Sequence, residues 1–286
     1  MQIVRLIILL VTIVIIVSCN NDDAAKRVIK ADKGTVHNSY EDTGNIDFNS
    51  CYENFFKGLP RFRDSSIAYL VWKNKERKRL TQFFKDEFMG TVSQYGKKDL
   101  DGDGTMELII FNYTGGAHCC DEYYIFSEKK EQEFEYKAHI TGGQACIDAT
   151  TNRISYSLSE TLGYFFSCFA CGMADTTGVF KTLREIQLKY AGSTLQVVTY
   201  DSLLAKQNIS NLEVLKKNGF EKITGLMDNG WRKEFAINIA IWHYNHGKNW
   251  KLTKLLFDKY YTFKDSPKVW KEFYRTMSEA AKENDF

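Results

Sequence analysis

Asp99-Leu100-Asp101-Gly102-Asp103-Gly104-Thr105-Met106-Glu107 runs without interruption into Leu108-Ile109-Ile110-Phe111. Carboxylates at alternate positions converge if the chain between them turns sharply, and Gly104 supplies that turn. Asp99, Asp101 and Asp103 would then face one point. Thr105 would add its backbone carbonyl, and Glu107 a further carboxylate, directly or through water. Such an all-oxygen shell suits a hard cation, calcium ahead of magnesium. Without a cation the crowded carboxylates repel one another; the competing reading is an acidic hairpin turn. The exit decides the fold. Leu108 to Phe111 is a β-rich apolar run, so the loop is expected between strands and not between helices.

Working outward, strands are predicted at residues 107–113, 122–127, 133–140, 153–158, 183–190 and 194–200. Polar turns containing Gly or Lys separate them, and the short spacing favours antiparallel meanders over parallel crossovers. On the N-terminal side, residues 46–90 are predicted as a helical segment. Leu80, Phe83, Phe84 and Phe88 fall at i, i+3, i+4 and i+8 there. The basic run at residues 73–79 (KNKERKR) fits a solvated helix face. On the C-terminal side, residues 201–286 turn helical again. One helix covers 232–246 with Gly247 at its C′ position. Leu252, Leu255, Leu256 and Tyr260 mark a second. A third starts at Ser266-Pro267, with Ser266 as N-cap, and carries Trp270, Phe273 and Met277 on one stripe. The expected class is α+β: an antiparallel β-sheet domain at 91–200, flanked by an N-terminal helical segment and a C-terminal helical region.

The acidic loop departs from an EF-hand, because Ile110 stands at position 12 where a bidentate glutamate belongs. It resembles the Asp-x-Asp-x-Asp-Gly loops between strands of FG-GAP and VCBS-type repeats in extracellular proteins, with Glu107 in the ninth place where aspartate is usual. The resemblance spans a single short copy, so it implies a calcium loop and not a propeller. Just downstream, Thr114-Gly115-Gly116-Ala117-His118-Cys119-Cys120 together with the acidic loop resembles a recurring arrangement in uncharacterised secreted bacterial proteins, which brings no known reaction with it. Its first half recurs 27 residues on as Thr141-Gly142-Gly143-Gln144-Ala145-Cys146. Two equivalent ligand loops at one end of a sheet would explain the repeat; chance similarity of two Gly-rich turns is the alternative.

The N-terminus supplies an address. Arg5 precedes an apolar run of 12 residues, Leu6 to Val17, which ends at Ser18-Cys19. That run is shorter than the roughly 20 residues a bilayer-crossing helix needs, but it fits the core of a secretory signal. Ile16-Val17-Ser18-Cys19 resembles the lipobox of bacterial lipoproteins. The resemblance implies removal of a signal peptide at residues 1–18 and acylation of Cys19. It also implies attachment to the membrane through that lipid, at the outer membrane of a Gram-negative cell envelope, on its periplasmic or its surface side. Asn20-Asn21-Asp22-Asp23 resembles an acidic surface-export signal, or is ordinary linker composition. Residues 19–45 form a polar, lipidated tether. The chain has 38 Lys and Arg against 36 Asp and Glu, too even a balance for wholesale binding to nucleic acid.

With Cys19 assigned to lipid, Cys51, Cys119, Cys120, Cys146, Cys168 and Cys171 remain, an even set that suggests disulfides in an exported protein. Their connectivity is open; the repeat places Cys146 near Cys119 or Cys120. Two sharper readings compete. Cys168-Phe169-Ala170-Cys171 has the spacing of a thiol–disulfide oxidoreductase. His118, Cys119 or Cys120, Cys168 and Cys171 have the residue types of a zinc site. His243 and His246 share a helix face near a C-terminal end, where the helix dipole favours them. No Gly-x-Ser-x-Gly, His-Glu-x-x-His, phosphate-loop or dinucleotide pattern occurs. The expected function is therefore that of a lipid-anchored envelope protein with a calcium-stabilised β domain. Its role would be structural, or the binding of a protein or glycan through Thr114, Gly115, Gly116, His118, Thr141, Gly142 and Gly143. The alternative is an envelope hydrolase or thiol enzyme using His118 and a nearby cysteine.

Overall fold

A computed structural model describes residues 48–60, 68–73, 75–88, 94–113, 121–171, 180–218 and 230–286. The elements run α1 (Phe48–Phe56), β1 (Tyr69–Val71), β2 (Arg77–Arg79), α2 (Leu80–Phe88), β3 (Gln94–Lys98), β4 (Glu107–Tyr113), β5 (Asp121–Lys130) and β6 (Glu133–Gly143). They continue as β7 (Ala145–Ile147), β8 (Ile154–Ser157), α3 (Leu158–Thr161), β9 (Glu185–Ala191) and β10 (Thr194–Val198). Helices α4 (Ser202–Asn218), α5 (Trp231–Asn245), α6 (Trp250–Tyr260) and α7 (Ser266–Glu283) complete the chain. The class is α+β, with helices before and after a strand-rich middle.

Two sheets carry the fold. The first has the order β2-β1-β6-β5-β4-β3 and the second β10-β9-β8-β7. All pairings are antiparallel except β1 with β6, where Tyr69, Leu70 and Val71 lie parallel to Glu133, Phe134 and Glu135. Only Gln144 separates β6 from β7, so one continuous stretch of chain passes from the first sheet to the second.

Strand β4 is buried from Glu107 to Asn112, on both faces of its sheet. That explains why it reads as a continuous apolar run and not as an alternation. Leu108 and Ile110 point into a smaller cluster with Leu80 and Phe83 of α2, Phe126, Phe134 and Trp72. Ile109 and Phe111 point the other way, into a larger core shared with Phe55 and Phe56 of α1, the second sheet and the C-terminal helices. The stripe predicted on α2 is thus the face that covers the first sheet; Phe88 lies at its end, where the side chain is outside the description.

The segment predicted as uniformly helical also contains β1 and β2. The basic run does not form a helix face. Its last three residues, Arg77–Arg79, are an edge strand paired with β1, where charges blunt further strand pairing. The predicted end of α5 holds: Gly247 has φ +70° and follows the C-cap His246. The Lys248 N–H reaches His243 O at 2.9 Å and the Gly247 N–H reaches Tyr244 O at 3.3 Å, the two bonds of a Schellman cap. The predicted start of the last helix shifts by one residue: Asp265 is the N-cap, and Ser266 and Pro267 open the first turn.

The C-terminal tail closes an edge. Beyond its short pairing with β1, strand β6 would leave backbone groups open. Asn284 Oδ1 accepts the Thr141 N–H at 2.8 Å, and the Asp285 N–H donates to His139 O at 3.1 Å. Tyr136 donates its hydroxyl to Asp285, and Phe286 packs its ring 5.0 Å from that of Tyr156.

Candidate metal centre

Strand β3 delivers the chain to the acidic loop and β4 carries it away, with Lys98 and Glu107 paired across the two strands. Within the loop Gly102 and Gly104 have φ of +77° and +88°, a backbone region that a side chain penalises. Those turns fold Asp99 back on the loop. Its Oδ1 accepts the Gly102 N–H at 2.7 Å and its Oδ2 the Gly104 N–H at 2.9 Å. Asp103 is exposed and accepts the Thr105 N–H at 2.6 Å.

Of the predicted ligands, Asp99, Asp101 and Glu107 are brought together, each offering one oxygen within 4.8 Å of the others. Asp103 is exposed and does not join that group, and Thr105 is half-buried. Glu107 is 1% exposed. Its Oε2 accepts the Leu100 N–H at 2.9 Å and its Oε1 the Ser127 hydroxyl at 3.1 Å. Burial pushes its carboxyl up to about 7 against those two donors, and the charges of Asp101 and Asp103 add to the rise. Asp101 Oδ2 accepts the Gly192 N–H at 3.1 Å. Its Oδ1 is buried and has no hydrogen-bond partner among the described residues. A buried anionic oxygen without a donor is costly.

The loop also ties the two sheets together. Asn152, in the turn between β7 and β8, donates from Nδ2 to Asp99 O and Leu100 O, both at 3.2 Å. Gly192, in the turn between β9 and β10, reaches Asp101. Lys98 donates to Ala149 O in the same β7–β8 turn. Tyr190 of β9 is buried beside the carboxylates, and burial pushes its phenol up to about 12.

The other predicted site residues lie elsewhere. Tyr113 pairs with Asp121, and Asp121 with Gly143. The strand ends that flank the first Thr-Gly-Gly segment, Tyr113 and Asp121, therefore neighbour Gly143 of the second. They stand at the far end of β4 from the acidic loop, about 20 Å away at 3.3 Å per residue. Thr141-Gly142-Gly143 does not share a cleft with the acidic loop. Thr114, Gly115, Gly116, His118, Cys119 and Cys120 lie outside the described residues, as does Cys19. Thr141, Gly142 and Gly143 are the last residues of β6 and not a free loop. Their carbonyls and amides are engaged by Tyr156, Thr161 and Asn284. A Cβ on Gly143 would come 2.8 Å from Ser157 O, so the glycine permits close strand approach.

At that far end the structure places two carboxyls that sequence reasoning passed over. Burial pushes Asp121 up to about 6, and burial together with the Asp121 charge pushes Glu160 up to about 7. Neither belongs to a spaced motif, although Asp121 follows directly on Cys119-Cys120.

Two disulfides are present among the described cysteines. Cys51 of α1 bonds Cys146 of β7, with Cα atoms 5.8 Å apart, so Cys146 is not paired with Cys119 or Cys120. Cys168 bonds Cys171, with Cα atoms 5.0 Å apart. Sulfurs in a disulfide are not thiolates, which withdraws that pair from a zinc shell. His243 is buried, and burial pushes its imidazole down to about 4. Its Nδ1 lies 2.7 Å from Thr253 Oγ1, so it is a neutral core histidine and not a cation at a helix end. Burial also lowers His246.

Among the described residues no helix is long and apolar enough to cross a membrane. In comparisons with known proteins, no family model, no curated protein and no solved structure matches the chain.

Proposed function

We propose that this is a lipid-anchored protein of the bacterial cell envelope whose two sheets are pinned together by a calcium ion in the acidic loop, and that it binds or scaffolds without catalysis. One observation carries the metal reading. Asp101 Oδ1 is buried without a donor beside Asp99 and Glu107, whereas Asp99 accepts two backbone amides and Glu107 one amide and the Ser127 hydroxyl. A divalent cation compensates what the protein leaves open. Asp99, Asp101 and Glu107 would hold it, with Asp103 and the Thr105 carbonyl completing the shell. Protons compete for Glu107, so affinity should rise with pH. The anchor reading is supported by the lipobox-like Ile16-Val17-Ser18-Cys19.

Thermal melting of the full chain tests the metal. At a calcium concentration 100 times Kd the gain is about 2.7 kcal/mol, which for a unit of this size raises Tm by about 5 °C. EDTA should remove the gain and Asp101→Ala should abolish the response. The same melting curve in EDTA, calcium and magnesium would overturn the proposal. Intact-mass measurement after expression in a Gram-negative host tests the anchor: an uncleaved or unacylated Cys19 refutes it. A glycan array and a pull-down from intact envelopes, both blank with and without calcium, would argue against a ligand-binding role.

A further inference from the structure

The bond between Cys168 and Cys171 is unlike the other one. Both cysteines are half-buried, whereas the other bond joins the half-buried Cys51 to the buried Cys146. The turn that holds them rests on the first turn of α5. Lys233 there is only 6% exposed. Its ammonium donates to Cys168 O at 3.3 Å and to Phe169 O at 2.8 Å. A positive charge is thus held against the backbone of Cys168 by the first turn of a helix, and cations and helix N-termini near a cysteine lower its thiol pKa. On the outer side, the Phe169 ring lies against Gly163, where an added Cβ would meet it at 2.5 Å. It also contacts the ring of Tyr164, which is 68% exposed, at 5.5 Å. The bond is therefore flanked by one half-buried ring, Phe169, and through it by the exposed ring of Tyr164.

The two bonds also differ in what the fold loses when they open. Cysteines three residues apart restrict the unfolded chain little, and cysteines 95 apart restrict it greatly. Chain entropy puts the resulting shift of the folding equilibrium at about 20-fold for the short loop and several thousand-fold for the long one. Opening Cys168–Cys171 leaves the fold standing.

We propose that Cys168–Cys171 is a thiol–disulfide exchange site for cysteine-bearing partners in the same compartment, and that Cys51–Cys146 is structural. A partner thiolate attacks Cys171 Sγ. A new intermolecular S–S bond forms, the Cys168–Cys171 bond breaks, and its electron pair leaves on Cys168 Sγ as a thiolate, in the residue whose carbonyl Lys233 holds. A second thiolate of the partner then attacks the partner's own sulfur in the mixed disulfide and releases Cys171. The partner dithiol is oxidised to a disulfide, and the pair is reduced and takes up the two protons. The reverse steps, with a disulfide-bearing protein as oxidant, restore it. The site does not depend on the metal reading.

The full chain, oxidised, would be incubated with graded dithiothreitol without denaturant, alkylated, and mapped by peptide mass spectrometry alongside circular dichroism. Cys168 and Cys171 should become alkylated at least 100-fold faster than Cys51 and Cys146, with an unchanged spectrum. Lys233→Met should slow that reduction about tenfold, and Lys233→Arg should restore it. Cys168→Ser, which leaves Cys171 as a thiol, should trap a mixed disulfide on Cys171 with a peptide that carries an intramolecular disulfide, the peptide's other sulfur leaving as a thiolate. Reduction of this pair only together with unfolding, or failure of the Cys168→Ser protein to trap the peptide on Cys171, overturns the proposal.

Discussion

Replacing Cys51 and Cys146 together by alanine removes a cross-link between residues 95 apart in sequence. Chain entropy sets the loss of stability at no more than about 4–5 kcal/mol for a closed loop of that size. The native side should change little. Phe55 and Phe56 of α1 are each 2% exposed in the shared core, and burying such side chains contributes about 1.5–3 kcal/mol apiece. They should hold α1 in place without the bond. Strand β7 keeps its pairing with β8, including Cys146 opposite Ser155. The expected result is a folded protein with a native spectrum that is about 3–5 kcal/mol less stable. Urea unfolding in non-reducing buffer, followed by circular dichroism, measures it. The midpoint should fall and the m-value should rise, because the cross-linked unfolded chain is the more compact one. A loss below about 1 kcal/mol with an unchanged m-value would refute the entropy estimate. Loss of helical signal before any denaturant is added would show that α1 is held by the bond and not by its phenylalanines.

Arg184 grips Glu234, a first-turn residue of α5 that is 1% exposed, through both guanidinium nitrogens. Arg184→Ala strands that carboxylate and should cost about 3–5 kcal/mol, while adding Glu234→Gln should recover most of it; urea midpoints of the single and double variants check this. His243 sits near 4 in the fold against an ordinary value of 6.5, so the unfolded chain takes a proton that the fold refuses. Its contribution is whole above about pH 6.5 and is lost as pH falls through about 4, up to about 3 kcal/mol. His243→Gln should flatten that part of the stability profile between pH 7 and pH 4, and identical slopes for parent and variant would count against it.

The residues that announce themselves are those whose environment is uniform. Strand β4 is legible because both its faces are buried, so Leu108-Ile109-Ile110-Phe111 needs no periodicity to be recognised. The acidic loop is legible because its alternating carboxylates and glycines have one geometric solution, and the structure brings Asp99, Asp101 and Glu107 together. Strands β1, β2 and β7 escape because each has three residues, too few for a pattern, and Arg77-Lys78-Arg79 has the composition of a solvated helix face. The parallel pairing of β1 with β6 joins residues more than 60 apart in sequence, which no local signal encodes. The partner of Cys146 is set by where α1 docks, and the Gly-rich repeat near it points elsewhere. His243 reads as a helix-end residue because its spacing records the helix and not the depth of its burial.

The C-terminal tail has a consequence for the order in which this chain can be completed. Asn284 and Asp285 stand in for a missing strand along β6, which lies more than 140 residues earlier. A chain delivered N-terminus first presents that edge long before its cover exists. Open edges invite pairing with other chains, and contacts of such long separation form late. Vectorial emergence therefore leaves this stretch of β6 uncovered until Asn284 and Asp285 arrive. Until then the protein depends on being kept apart from its own copies.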